Sequence, residues 1–412
     1  MLSDVAEILM GQSPKAADVN TDAKGLPLLN GPTEFGPDHP APVQFTTSPV
    51  RVCQKGDLLF CVRGSTTGRM NWADQAYAIG RGIAAIRHKN GEAFQPLLRA
   101  VIEQELDDLL VQATGSTFPN VSARLLGGIR WPDLDARQQE SVSAFLGACD
   151  QQIQLTREII SALSEITSTI YKAWFVDFLP LEAKQKGATS FRGMPQALFD
   201  ELSDSYDVSE IGPIPKNWRL VSLKSLSTEL RRGISPAYTT KRGVLVLNQK
   251  CIRNQRVNFA LARRHDPQSR GIEGREIQLH DIIVNSTGVG TLGRAAQIYD
   301  LKEATIIDTH LTVVRPNKAE INPIYLGFEV TSKEANIEAL GRGSTGQTEL
   351  NRDELGAMPT LVPPPQFQCA FAKVVSPFIA KAVVLRQQLE TMQTLRSVAA
   401  PRLILAETLR EG

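Results

Sequence analysis

The sequence predicts an α/β (α+β) protein built from two similar mixed α/β modules in tandem, each followed by a long amphipathic helix. Three observations carry this expectation. The chain runs through nearly the same series of motifs twice, about 225 residues apart. Each copy opens with short β-like runs separated by Gly, Pro and Asn and then turns helical. Each copy ends in a segment of about 40 residues whose apolar positions recur every three or four.

The first copy reads Ser13-Pro14, KGLPLLNG (24–31), KGDLLFCVRGSTTGRM (55–70) and GRGIAAIR (80–87). The second reads Ser235-Pro236, KRGVLVLN (241–248), LHDIIVNSTGVGTLGRA (279–295) and DTHLTVVRP (308–316). GSTFPN (115–120) answers GSTGQT (343–348), and WPDLDARQQ (131–139) answers LVPPPQFQ (361–368). The offset between segment starts stays between 217 and 230 while identities diverge. A repeat this long means duplication of a whole domain and not a solenoid. LLFCV (58–62) and IAAIR (83–87) pair with IIV (282–284) and LTVV (311–314) as strands. The helical stretches 94–113 and 321–341 occupy the same place in the two copies.

The first long segment shows Phe145, Cys149, Ile153, Ile160, Leu163, Ile170 and Trp174 at helical spacing. The second shows Phe371, Phe378, Ala382, Leu385, Leu389, Met392 and Ala399. Such a narrow seam suits coiled-coil packing of one helix on the other, although each helix packing on its own module reads the same way. Ser376-Pro377 is expected to split the second segment, because proline clashes inside a helix. Gly, Pro, Ser and charged residues between the copies read as a connector with at most one short helix. The expected layout is a first module at 1–135, a long helix at 136–178, a connector at 179–215, a second module at 216–364, and a second long helix with a C-terminal tail at 365–412.

A chain of 412 residues with 42% hydrophobic and 22% charged residues has the composition of a soluble globular protein. No basic start with an apolar core marks a signal peptide, and no continuous apolar run approaches the 18 or more residues of a membrane span. Five cysteines without a CxxC pair argue against disulfide and zinc frameworks, so a cytoplasmic location without a membrane is expected. Charge is uneven. Residues 1–135 carry 12 Lys/Arg against 15 Asp/Glu, and 136–215 carry 6 against 11. Residues 216–365 carry 21 against 15, and 366–412 carry 6 against 3. Only the second copy has the basic balance of a nucleic-acid binder.

Catalytic and metal constellations are missing, so neither catalytic nor metal residues are assigned. The histidines His39, His88, His265, His280 and His310 are scattered, and no GxSxG elbow or P-loop lysine motif occurs. Gly288-Val-Gly290-Thr-Leu-Gly293 matches GxGxxG formally, but strand-like sequence follows where a dinucleotide site requires a helix. What remains is recognition chemistry. CIRNQRVNFALARRHDPQSRGIEGR (251–275) interleaves arginines with Asn and Gln, a mixture that suits guanine edges, adenine edges and phosphates, and that a solvated basic loop also shows. The first copy offers fewer candidates around its glycine turn, together with Gln44, Thr46 and Thr47; such groups hold phosphates or simply shape the turn. The candidate DNA contacts are Arg63, Ser65, Thr67 and Arg69 in the first copy. In the second they are Lys250, Arg253, Arg256, Arg263, Arg264, Thr287, Arg294 and Arg342.

With these motifs in place, the chain resembles the specificity subunits of type I restriction–modification enzymes over essentially its whole length. The resemblance rests on G-x-SP (Gly11 to Pro14, and Gly233 to Pro236), the block 56–87, YKAWFVDF (171–178), IGPIPKNWRLVSL (211–223) and PPPQF (363–367). It implies two target-recognition domains separated by two antiparallel helices in a coiled coil, each domain reading one half of a bipartite asymmetric site in double-stranded DNA. It implies two methyltransferase subunits docked on this chain, with restriction/translocase subunits bound through that core. S-adenosylmethionine, ATP and magnesium would belong to those partners, leaving this chain without cofactor or catalytic activity. Two features depart from the pattern: the first module opens at LSDVAEI without a counterpart of IGPIPKNW, and its balance is acidic. A two-domain scaffold that binds no DNA, and an enzyme binding a nucleotide through glycines 288–293, are the competing readings.

Overall fold

The computed structural model describes all residues except 37–38, 114–118, 343–347 and 406–412. The chain forms two compact units, Met1–Ile159 with Arg386–Gly412, and Ile160–Leu385. Most of the GSTFPN and GSTGQT correspondence lies outside the described residues.

The first unit contains an antiparallel sheet in the order Ala6–Met10, Ile83–His88, Leu58–Cys61, Met70–Trp72. The second contains the same sheet in the same order, Ser227–Arg232, Leu311–Pro316, Ile282–Asn285, Ala295–Gln297. Leu58–Cys61 and Ile282–Asn285 are buried at every position, which is why LLFC and IIV read as unbroken apolar runs and not as alternating ones. A second sheet recurs as well. In the first unit it runs Val19–Asn20, Gln44–Thr46, Leu26–Leu29, Tyr77–Ile79, Val52–Cys53, with the Leu26–Leu29 and Tyr77–Ile79 strands parallel. In the second unit Tyr238–Thr239, Arg263–His265, Val244–Leu247 and Thr305–Ile307 follow the same order, with the last two parallel.

The shared motifs have shared physical work. Gly11 and Gly233 sit where a strand leaves the first sheet against another backbone. A Cβ at Gly11 would lie 2.2 Å from the Gly80 carbonyl, and one at Gly233 would lie 2.1 Å from that of Ile307. Asp57 and Asp281 are almost fully buried, and each receives a two-pronged ion pair, from Arg87 at 2.6 and 2.8 Å and from Arg315 at 2.9 and 2.8 Å. Each Asp also accepts the backbone N–H three residues earlier, Gln54 and Gln278, at 2.8 Å. The pair therefore staples the turn before one strand to the neighbouring strand, twice over.

Between Asp and turn the copies differ in one telling residue. Gly56 has φ 86°, and its counterpart His280 holds the same left-handed conformation at φ 74°. The His280 Nδ1 is buried without a hydrogen-bond partner, and burial, then the Lys318 charge, holds its pKa below the usual histidine value. Glycine avoids the Cβ clash of this region, at the expense of greater freedom in the unfolded chain. His280→Gly is expected to stabilise the second unit by about 0.5–1 kcal/mol. Thermal melting of variant and parent checks this, and a lower melting temperature would refute it.

The sequence-predicted helical stretches each contain two helices, Gln95–Gln104 with Leu106–Gln112 and Pro323–Thr331 with Glu334–Ala339. Asn322 caps the third of these with its side chain on the Ile324 N–H at 3.0 Å, followed by a proline in the first turn.

The long helices are Ala136–Phe175 and Pro365–Leu405. Asp135 starts the first with a reciprocal cap: it accepts the Gln138 N–H at 2.9 Å while the Gln138 side chain accepts its own N–H at 2.9 Å. Within the first unit, Val142 and Leu146 share a core with Ala400 and Ile404. Within the second, Tyr171, Trp174 and Phe175 share one with Phe367, Phe371 and Val375. The beginning of each helix thus meets the end of the other, an antiparallel coiled-coil pair. Arg396, tied to Asp150 at 2.5 Å and to Glu103 at 2.8 Å, clamps the first-unit end.

Three details differ from the expectations. The first seam runs through Leu146, which is fully buried, while Phe145 is exposed. Pro377 does not split the second helix, which is continuous through it. Pro377 and Lys373, whose carbonyl loses its helical partner, are both exposed, so the proline ring and the freed carbonyl fall on the outer side of the helix. The connector holds two short helices, Leu179–Gln185 and Gln196–Glu201, and a hairpin of Tyr206–Ser209 with Gly212–Pro215. Leu181, Leu198, Leu202 and Ile214 bury it in the core of the second unit.

The second long helix contains an 18-residue window that is long and apolar enough, by length and composition only, to cross a membrane. A third of that window is buried in this fold. All five cysteines are free, and Cys53, Cys61 and Cys251 are buried.

Candidate nucleic-acid interface

In each unit a glycine turn joins the third and fourth strands of the antiparallel sheet. Gly64 and Gly68 have φ 93° and 92°, and Gly288, Gly290 and Gly293 have 102°, 68° and 85°. Both turns close in the same way. Thr67 donates its hydroxyl to the Gly64 carbonyl at 2.8 Å, and Thr291 to that of Gly288 at 3.2 Å. The Gly68 N–H reaches the Cys61 carbonyl and the Gly293 N–H that of Asn285, both at 2.9 Å. The 288–293 glycines thus lie between antiparallel strands and open no helix, so a dinucleotide pyrophosphate finds no helix N-terminus there.

A returning segment completes each turn. Val121 donates to the Val62 carbonyl at 2.9 Å, and Leu350 to that of Ser286 at 2.8 Å. The first-copy candidates gather here. Arg63 is exposed and directs its Nε to Asn120 Oδ1 at 3.1 Å, and Ser65 is exposed on the turn. Thr67 is a turn-closing residue that also donates to the Pro119 carbonyl at 3.1 Å. Arg69 is committed to the adjacent loop, donating to the Pro32 and Phe35 carbonyls at 3.1 and 2.8 Å.

In the second copy Thr287 stands where the first has Arg63, bridged to Glu349 and bonded to His310 Nδ1 at 2.7 Å. Arg294 returns to the Gly290 carbonyl at 2.7 Å, and Arg342 pairs with Glu354 at 2.5 Å. Arg232, which sequence reasoning missed, ties this corner together through the Thr309 and Leu350 carbonyls and Glu349. With Arg342 and Arg352 it lines an open groove of about 580 Å³ whose acids, Glu349 and Asp353, nearly balance its charge. No sequence signal distinguishes Arg232 from its neighbour Arg231, because strand alternation alone sets which one faces the groove.

The remaining candidates fall on two other elements. Lys250 and Arg253 are exposed, Arg253 at the foot of a tight hairpin whose Asn254 and Gln255 have φ 51° and 57°. Arg256 leaves that hairpin for the first long helix, donating to the Ile160 carbonyl at 3.3 Å and to Ser164 Oγ at 2.6 Å, and burial lowers its pKa. Arg264 holds Glu303 with two hydrogen bonds at 2.5 and 2.9 Å. Arg263, next to it, lies over the Tyr238 ring at 3.3 Å and forms no ion pair among the described residues. Among the described residues no group of three or more His, Cys, Asp or Glu side chains is placed to hold a metal.

The fold and its paired turns define a class: duplicated α/β modules that present variable loops on a constant frame, both stitched to a pair of long helices. No family model matches the sequence. Among curated proteins, it is 31% identical over 155 residues to the putative type I restriction enzyme MjaX specificity subunit of Methanocaldococcus jannaschii, covering 37% of this chain and 36% of that one. It is 23% identical over 155 residues to the HindI specificity subunit of Haemophilus influenzae, covering 36% and 34% of the two chains. The match to each of these spans about a third of the relative's length. The MjaIX specificity subunit of Methanocaldococcus jannaschii is 20% identical over 370 residues, covering 87% of this chain and 79% of the relative. Among solved structures, the type I restriction–modification S subunit from M. genitalium has the same fold, with a TM-score of 0.58, 12% identity, and coverage of 98% and 94%. Curated relatives and fold agree on one group, the type I restriction–modification specificity subunits.

Proposed function

We propose that this chain is the sequence-specific DNA-recognition subunit of a type I restriction–modification complex, each module reading one half of a bipartite asymmetric site. The observation that carries this reading is duplication of the frame without duplication of the side chains it displays. The staple Asp57–Arg87 recurs as Asp281–Arg315, and the turn closure recurs, while Arg63 becomes Thr287 and Gly82 becomes His310. Two like frames with unlike displays suit two different half-sites, and a helical spacer fixes their separation. The chain acts without catalysis of its own. Two methyltransferase subunits dock on it and restriction/translocase subunits join through them, so S-adenosylmethionine, ATP and magnesium bind those partners, in the cytoplasm.

Mapping methylated bases in host cells with and without this gene tests the proposal. Loss of methylation at one split, asymmetric motif of fixed spacing is the expected result. An unchanged methylation map would overturn it.

A further inference from the structure

The two copies place different hydrogen-bonding side chains at one equivalent strand position, and a neighbour holds each in place. In the first unit Thr46 is opposite both Val19 and Leu26, and Gln44 is opposite Leu28. In the second His265 is opposite both Tyr238 and Val244, and Arg263 is opposite Val246. Strand by strand, Gln44 and Arg263 are the same residue of the module.

Both side chains are preorganised. The Arg263 guanidinium carbon lies over the Tyr238 ring, 3.3 Å from its centroid. Attraction to a ring face holds the cation in place and does not use up the five N–H donors of a guanidinium, so donors remain for a ligand. Its neighbour Arg264 offers a contrast, since Glu303 and the Gly243 carbonyl occupy its donors. Gln44 accepts the Asn30 Nδ2 at 2.8 Å on Oε1, which fixes the amide while leaving Nε2 and a second lone pair of Oε1 available. A fixed guanidinium fork matches the O6 and N7 of guanine, and a fixed carboxamide matches the N6 and N7 of adenine. Side chains locked before binding lose less freedom on contact, which favours base reading over loose phosphate contact.

We propose that Gln44 and Arg263 are the equivalent base-reading residues of the two modules, Arg263 selecting a guanine in one half-site and Gln44 an adenine in the other, with Tyr238 and Asn30 as their positioning residues. This assignment rests on the DNA-recognition reading above.

The experiment is selection from duplex DNA randomised at every position, using the full chain produced in its host with its partner subunits. Arg263→Lys keeps the charge and removes the fork. It should weaken a guanine preference of roughly 5- to 150-fold at a single position of one half-site, leaving the other half unchanged. Arg263→Gln should turn that preference toward adenine, and Gln44→Arg should turn an adenine toward guanine in the other half. Tyr238→Phe should leave both unchanged, and Tyr238→Ala should weaken the Arg263 preference. If Arg263→Gln lowers affinity equally for all sequences and reduces the salt slope by about one, while Arg263→Lys is silent, Arg263 touches a phosphate and the assignment is wrong. A Gln44→Arg chain that melts like its parent and selects the parent's sequence overturns the first-module half independently. Failure of the unaltered chain to select any sequence overturns the DNA-recognition reading itself, and this inference with it.

Discussion

Gly233→Ala is expected to destabilise the second unit by about 3 kcal/mol, and Gly11→Ala the first by a similar amount. In an unstrained position Gly→Ala stabilises by about 0.4–1 kcal/mol, because the unfolded chain loses freedom. Here the new methyl meets backbone, which cannot rotate away. At Gly233 it would approach the Ile307 and Asp308 carbonyl oxygens to 2.1 and 2.2 Å, and at Gly11 the Gly80 and Ile83 oxygens to 2.2 and 2.6 Å. Relief requires moving the chain and breaking the bonds that hold it, Gly233 N–H to Leu311 at 3.1 Å and Gly11 N–H to Ile83 at 2.9 Å. In units of this size the loss corresponds to a fall in melting temperature of roughly 6–12 °C. Gly31→Ala is the control, since it has extended backbone and nothing within 4 Å of its Cβ position. Equal melting of all three variants would show that the G-x-S-P motif has no steric role.

How much of this was legible in the sequence differs by level. The sheets were, because LLFC and IIV are buried on both faces and therefore write unbroken apolar runs, and because duplication supplied each run with a second reading. The connector was not. Its apolar residues, Leu181, Leu198, Leu202 and Ile214, are spread among Gly, Pro and charged residues over elements too short to show a period. Helix phase also escaped by one residue: Phe145 is the larger apolar side chain, but the adjacent Leu146 faces the core, and three-to-four spacing does not separate neighbours over one turn. The candidate site was legible as a region and not as a set of contacts. Sequence counts every arginine as a cation, but Arg264 meets Glu303 across 39 positions and Arg256 meets Ser164 across 92. Only folding brings such partners together, so only folding separates the committed arginines from Arg263. Tyr238 was invisible for the same reason, its role existing only through strand pairing with the segment that carries Arg263.

Glu329→Ala is expected to cost the second unit about 3–5 kcal/mol. Glu329 is almost fully buried and is the common acceptor of three donors: the Tyr171 hydroxyl of the YKAWFVDF motif, the Lys333 ammonium at 2.5 Å and the Leu361 N–H at 3.0 Å. Burial, then the Glu329 charge, holds the Tyr171 pKa well above its usual value, so the phenol stays a neutral donor. Truncation to alanine removes the acceptor and strands Lys333 with only the Pro359 carbonyl, at 2.8 Å. Tyr171→Phe removes one donor and no charge, so it is expected to cost only about 1 kcal/mol. Glu329→Leu with Lys333→Met removes both charges together, and this double variant should regain much of the loss, since replacing a buried pair with apolar residues is often neutral. Urea unfolding of the four chains separates the terms. If Glu329→Ala and Tyr171→Phe cost the same, the buried carboxylate is merely a hydrogen-bond acceptor for the helix. If the single alanine variant costs several times more and the double variant recovers it, the first long helix is held to the second module by a charge that requires its partner.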